Sequence, residues 1–530
     1  MTSENKLGIV IGGSLSGGIY VRLDGEALVE DMAVGRYVTI QGKTKRFLGM
    51  ITDVSLGVTD QRLTLTPPAA DEKFLAEILS GTAAYGDLKV IPYLVLGNDE
   101  KSLLDGPQPV KTIPSHYAPV DIASNEDIEM VFGKEDASHF YVGNPLDMET
   151  RLCLNLPELV KRSNGIFGKS GTGKTFLTRT LLVGMLQKGS CVNLVFDMHS
   201  EYGWEGTSEK KHKVKALKQL FPDRVAVFTL DGESSRKRKV SVDFEVKIGY
   251  DEIEPEDISL LRQTLNLTEQ AVEAVYQLRK YFKKNWIKEA NNIGDEEDDK
   301  KLLDSLSIHE STFQNLKRGL NTLTRLPFIV ENAPVKAVDR VLEYLNRNIN
   351  VVLEFGRYTD ITAYILVANL LTRRIYTSYR DRMEQAMAED AAKPTPLVIT
   401  IEEAHKFLNP EVASRTIFGT IAREMRKYNV TLLIIDQRPS GIDTEVMSQL
   451  GTKITALLDN EKDIDAVLSG ISGKNELKGV LAKLASRQQA LIFGAAVPMP
   501  VAFVPREYDQ SIYNEVSRKK ISTEEIEELF

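Results

Sequence analysis

Along the first hundred residues the apolar positions come in short runs separated by glycine-rich turns, at 8–11, 19–23, 37–41, 47–54 and 90–96. Runs of this length, alternating or clustered, have the signature of strands rather than helices, and they predict a small β-barrel or sandwich over 7–97. Pro107, Pro109, Pro114 and Pro119 then break the pattern across 104–119. That stretch reads as a linker and puts a domain boundary there. Beyond it the period changes: a strand at 165–167, a glycine-rich loop, an amphipathic helix over 174–187 and a buried strand over 192–196 form a β-loop-α-β unit, the building block of a parallel sheet. Residues 250–345 read almost wholly helical, with the acidic run 295–299 expected as an exposed loop. Strand signals return at 351–353, 397–401, 431–435 and 454–457, separated by helices. The expected organisation is therefore an N-terminal β-barrel or sandwich over 1–110, an α/β core in two parts over 120–250 and 346–485, a helical insertion over 251–345, and a C-terminal strand and tail over 486–530.

Composition narrows this picture in three places. The 530 residues imply two or three cores, and 42% hydrophobic with 27% charged residues exclude a disordered or fibrous chain. The formal net charge of -9 excludes a general basic coat, so any nucleic-acid contact has to be local. Basic clusters stand at Lys210, Lys211 and Lys213, at 236–239, and at 279–288, where Tyr281, Phe282 and Trp286 interleave with the charges. Each reads first as a solvated helix face or loop and only second as a DNA contact. Cys153 and Cys191 alone make neither a disulfide framework nor a structural zinc site. No signal segment and no bilayer-length apolar run is evident, so a cytoplasmic protein without a membrane anchor is expected.

The strongest chemical signal is Gly168-Lys169-Ser170-Gly171-Thr172-Gly173-Lys174-Thr175, which fits G-x-x-x-x-G-K-[ST] between a predicted strand and a predicted helix. Glycines let the backbone N–H groups wrap a phosphate chain, Lys174 reaches the outer phosphates, and the Thr175 hydroxyl is a ligand for Mg²⁺. Phe176 completes the expected ATP-binding set, together with Ser170 and Thr172. Hydrolysis also needs an acid near the metal and a polarised water. The run 397–403 offers both, with Glu402 on the metal side, where Asp is the more frequent residue, and Glu403 as the base. Gln437 closes another predicted strand, 431–435, and is the candidate sensor of the γ-phosphate. Arg423 or Arg426 is placed to reach that phosphate from a neighbouring subunit. Asp197 and Glu201, at the carboxyl edge of the 192–196 strand, are expected to help position metal or water. A zinc site at His199 is not expected, because no further ligands cluster with it.

Taken together, 168–175, the stretch Asp197-Met198-His199-Ser200-Glu201-Tyr202, Glu402-Glu403-Ala404-His405, 423–427 and Gln437-Arg438-Pro439-Ser440 resemble the HerA family of hexameric DNA-translocating ATPases, relatives of FtsK. The N-terminal β-rich segment is similar to that family's HAS-barrel. The resemblance implies a RecA-like P-loop ATPase core and a homohexameric ring with ATP and Mg²⁺ at subunit interfaces. It further implies double-stranded DNA in a central channel and a partner nuclease on the barrel face, NurA-like, sirtuin-type or another effector, in DNA end processing or antiphage defence. It implies Lys174 and Thr175 as the P-loop pair, Glu402 and Glu403 as the Walker B pair, Arg426 as the trans arginine, Gln437 as the sensor and Arg162 as a further interface arginine. The competing expectation is an ATP-dependent ring that recruits and activates an effector with little translocation. A secretion pump is disfavoured by the lack of a membrane segment.

Overall fold

A computed structural model describes residues 6–517 except 25–27, 61, 66, 70, 98–105, 208–212, 295, 390–391, 425–426, 472 and 486–487. The chain forms two compact units. The first comprises Met1–Leu156, Phe167–Lys174 and Thr452–Glu507, and the second Pro157–Ile166, Thr175–Gly451 and Tyr508–Phe530.

In the first unit, the strands Gly18–Leu23, Lys6–Ser14, Pro119–Ile122, Tyr37–Gln41, Arg46–Val58 and Ala84–Leu96 pair in that order, and the last pairs back with the first. The sheet is thus a closed six-stranded antiparallel barrel, which leaves no open edge among these strands. Ala84–Leu96 alternates buried and half-buried positions along most of its length. Its inward Leu88 and Val90 meet Ile19, Val21, Ile40 and Ile51 in the barrel core. Each such side chain contributes about 1.5–3 kcal/mol by leaving water. The pairing of Arg46–Val58 with Ala84–Leu96 shifts register at Gly49, where a Cβ would lie 2.8 Å from the Ile91 carbonyl oxygen. Pro119–Ile122 inserts between Lys6–Ser14 and Tyr37–Gln41. A strand of the barrel therefore lies within and beyond the stretch expected as linker, because a proline is tolerated as the first residue of a strand. The same unit holds a second antiparallel array in the order Thr452–Ala456, Ala490–Gly494, Val501–Pro505, His139–Pro145, Leu152–Asn155.

The second unit is built on parallel strands in the order Phe244–Glu245, Val225–Thr229, Asn350–Glu354, Val192–Asp197, Leu397–Glu402, Val430–Asp436. The strand entering the glycine-rich loop, Asn164–Phe167, follows beside Val430–Asp436. Every residue of Val192–Asp197, Asn350–Glu354, Leu397–Glu402 and Val430–Asp436 is buried, as in a parallel sheet covered on both faces. The helix Lys174–Lys188 is expected to be amphipathic, yet all positions from Leu177 to Leu186 are buried, including Arg179. A helix covered all round carries no polar stripe, so its sequence shows little periodicity.

Helices Pro255–Leu260, Glu269–Phe282, Trp286–Asn292, Glu297–Ser305, Glu310–Thr324 and Ala337–Asn346 occupy the expected helical stretch. Trp286 anchors them, fully buried with its indole N–H on the Ile253 carbonyl at 3.0 Å. The acidic run differs from expectation: Glu297, Asp298 and Asp299 form the first turn of a helix, where the positive end of the helix dipole favours carboxylates. Among the described residues no helix is long and apolar enough to cross a membrane.

Candidate nucleotide-binding and catalytic site

The glycine-rich loop takes the backbone its sequence requires. Gly171 and Gly173 have φ of 77° and 90°, and a Cβ at either would meet nothing within 4 Å, so conformation rather than crowding selects glycine there. Thr172 Oγ1 donates to the Lys169 carbonyl at 2.8 Å, and Lys174 Nζ donates to the same oxygen at 2.7 Å. Lys169 is fixed in turn, its N–H on the Leu457 carbonyl at 3.1 Å and its Nζ 3.0 Å from Asp459. The loop is a preformed turn with its lysine folded across it. Open space beside Gly171 and Gly173 fits a phosphate chain.

The second unit brings carboxylates to the carboxyl ends of three adjacent parallel strands: Glu354, Asp197 and Glu402, with exposures of 0%, 0% and 7%. Asp197 accepts the backbone N–H groups of Glu201, Tyr202 and Gly203 at 2.7, 2.8 and 3.1 Å. Burial still pushes its carboxyl above the usual range. The turn that it caps presents Tyr202, fully buried, whose hydroxyl donates to Glu402 Oε1 at 2.9 Å. Tyr364 holds the backbone of the same residue, donating to the Glu402 carbonyl at 3.0 Å and accepting its N–H at 3.1 Å. Glu402 is thus gripped at backbone and side chain, while its Oε2 is buried without a hydrogen-bond partner. Burial, with the charges of Asp197 and Glu201, pushes Glu402 up to about 8 against the pull of the Tyr202 hydroxyl. Burial and Asp197 push Glu354 to about 7, although Arg238 pairs with it at 2.5 Å. Among the described residues no group of three or more acidic, histidine or cysteine side chains is arranged to hold a metal ion by itself, and Asp197 and Glu354 already have partners. The orphaned Oε2 of Glu402 has a lone pair for a divalent cation or for one of its waters, and a cation there would offset the crowded negative charge.

Beyond Glu402 the chain turns through Glu403, whose φ of 48° is uncommon for a residue with a Cβ. Its Oε1 accepts from Gln437 Nε2 at 3.2 Å, and its Oε2 lies 3.6 Å from His405 Nδ1. Asp436, fully buried in its side chain, takes the His405 backbone N–H at 2.7 Å, the His405 ring at 3.0 Å and the Arg438 N–H at 2.6 Å. The ends of Leu397–Glu402 and Val430–Asp436 are thereby tied together.

A family model described as "Helicase HerA, central domain" matches residues 140–375, and one described as "HAS barrel domain" matches residues 7–94. The chain belongs to the HerA family. A relative named "DNA double-strand break repair helicase HerA" from Sulfurisphaera tokodaii is 24% identical over 93% of each chain. One of the same name from Sulfolobus acidocaldarius is 25% identical over 89% of this chain and 88% of its own length. Among solved structures, VirB4 of Thermoanaerobacter pseudethanolicus is 13% identical with a TM-score of 0.46, covering 72% of this chain and 100% of that one.

Within this HerA-family chain, Asp197, Glu402, Glu403 and Gln437 gather at the carboxyl edge of the parallel strands, and Glu201 contributes its backbone N–H to the Asp197 cap and its carbonyl to buried Arg179. Thr175 and Phe176 open the helix behind the loop. Arg423 is paired within its own chain, Nε 3.1 Å from Glu445. Arg426 lies outside the described residues, as do Lys210 and Lys211. Arg162 stands at the amino edge of the strands, in a groove with Glu158, Lys161, Pro396 and Asn429. A seven-residue strand at ~3.3 Å per residue puts it roughly 20 Å from that carboxyl edge of its own chain. Arg162 is therefore remote from the carboxyl edge of its own chain.

Several residues of the basic clusters pair with acids of their own chain. Arg236 faces Glu245, Lys237 faces Glu233, Arg238 faces Glu354, Arg279 faces Glu254 and Lys288 faces Glu331. Sequence reasoning missed Glu354, Tyr364 and the tie through His405 and Asp436. Glu354 had a readable signal, an acid closing an apolar strand as Asp197 and Glu402 do. Tyr364, inside an apolar helix, had none.

Proposed function

We propose that this chain is an ATP-driven translocase or helicase of double-stranded DNA that works as a homohexameric ring and feeds a partner nuclease docked on its barrel face, in DNA end processing or antiphage defence. The observation that carries the reading is the gripped Glu402 with one buried oxygen free of partners, in a family whose central domain matches here. Gly168 to Thr175 bind the ATP phosphates through backbone N–H groups and Lys174, with Phe176 beside them. Thr175 and Glu402 hold Mg²⁺, Glu402 directly or through water, and Asp197 and Glu201 set the turn that positions Tyr202 against it. When bound, Mg²⁺ offsets the negative charge of the phosphates and of the acid row. Glu403 polarises the attacking water, Gln437 orients it toward the γ-phosphate, and Arg426 or Arg423, with Arg162, reaches in from the neighbouring subunit.

The test is ATPase rate with and without linear double-stranded DNA, on protein whose mass is checked by light scattering. Stimulation of a hexamer is expected, with DNA affinity falling steeply with salt as phosphate contacts release counterions. Glu403→Gln should keep the ring and ATP binding while turnover stops. A hexamer whose turnover ignores duplex DNA would overturn translocation in favour of a ring that recruits and activates an effector.

A further inference from the structure

We propose that His405 and Asp436 are positioning residues that hold Glu403 and Gln437 in one rigid hydrolytic element. The inference rests on the reading of Glu403 as the group that polarises water. Glu403 and Gln437 lie on different segments, 34 residues apart, and their direct link is a single hydrogen bond of 3.2 Å with Gln437 exposed. One such bond in water adds little rigidity. The tie beneath it is of another kind. Asp436 immediately precedes Gln437, is buried, and spends both oxygens on the Glu403 side of the site through His405. His405 N–H and His405 Nδ1 lie 2.7 and 3.0 Å from Asp436 Oδ2, and Nδ1 lies 3.1 Å from Oδ1.

Because both acceptors are carboxylate oxygens, Nδ1 is the protonated ring nitrogen. Oδ1 also takes the Arg438 N–H at 2.6 Å, which fixes the backbone on the far side of Gln437. The imidazole therefore stands between two carboxylates, donating to Asp436 and lying 3.6 Å from Glu403. That placement supports the φ of 48° at Glu403, a conformation that persists only when its surroundings determine it. A shift of the γ-phosphate sensor is passed to the water-polarising acid through this pair.

The experiment compares full-length ring protein with His405→Ala, His405→Asn, His405→Gln and Glu403→Gln, measuring kcat, KM and the affinity of a fluorescent ATP analogue with Mg²⁺. In His405→Ala, kcat should fall about a hundredfold, the usual consequence of a misplaced reacting group, with analogue affinity within about twofold. Asparagine carries its amide nitrogen on Cγ, as histidine carries Nδ1, so His405→Asn should recover most of kcat, whereas His405→Gln, with nitrogen one carbon further out, should not. The Asn and Gln pair keeps the test decisive if the alanine variant does not fold. Near-normal kcat in His405→Ala alongside a dead Glu403→Gln would overturn the inference and leave the reading of Glu403 intact. Equal loss in the Asn and Gln variants would also overturn it. Normal turnover in Glu403→Gln would bring down both.

Discussion

Replacing Glu402 by Gln should change how stability depends on pH, and the structure fixes the sign. The buried Glu402 carboxyl binds its proton up to about 8, against an ordinary 4.5, mainly through burial and the neighbouring charges of Asp197 and Glu201. An acid whose folded value is raised stabilises the fold fully below its unfolded value, and that contribution is lost as pH rises through the folded one. The gap of 3.5 pH units between 4.5 and about 8, at about 1.4 kcal/mol per unit, gives an upper figure of about 5 kcal/mol. About half of this is lost between about pH 6 and about pH 8.5. Glutamine cannot ionise, so Glu402→Gln removes this slope.

Glu354 and Asp257, pushed to about 7 and about 6, share the sign but remain in both proteins and cancel in the comparison. The assay is the unfolding midpoint of nucleotide-free protein in chelator across that pH range. Wild type should lose stability more steeply than the variant, and Mg²⁺ with ATP should stabilise wild type more at alkaline pH, since cation binding ionises Glu402. Parallel pH profiles for the two proteins would refute the claim that Glu402 is a desolvated acid in the folded state.

Lys174→Ala should abolish binding of a fluorescent ATP analogue while leaving the unfolding midpoint close to wild type, because in the fold its amine makes a local bond to the Lys169 carbonyl. Tyr202→Phe removes the hydrogen bond to Glu402 Oε1; it should cost about 1 kcal/mol of stability and raise the Mg²⁺ concentration for half-maximal ATPase, measured by titration. Arg423→Ala breaks only a solvent-exposed pair with Glu445, so stability should change by about 0.5 kcal/mol or less. Arg426→Ala, if this is the arginine acting across the interface, should lower kcat by about a thousandfold, where Arg423→Ala leaves it within about threefold.

The sequence by itself determined whatever is local in the chain. The glycine pattern at 168–175 specifies a phosphate-binding turn because only glycine takes positive φ at Gly171 and Gly173 without strain. Apolar runs ending in acid at Asp197 and Glu402 specify buried strands with chemistry at their carboxyl ends, and short apolar runs made an N-terminal barrel or sandwich legible, its closure being decided by the pairing of Gly18–Leu23 with Ala84–Leu96. What only the tertiary structure decided is what depends on which strands lie side by side. Parallel neighbours are separated by crossovers of many residues, so nothing in the sequence placed Glu354 beside Asp197, or Tyr202 and Tyr364 around Glu402. Nor could it show that Asp436 reaches back to His405, or that Arg423 is already engaged by Glu445 while Arg162 stands at the opposite edge. Positions covered on all sides, such as the helix Lys174–Lys188, lose the polar stripe that periodicity detects. Burial then does what composition cannot show: with the neighbouring charges of Asp197 and Glu201, it pushes an ordinary glutamate up to about 8.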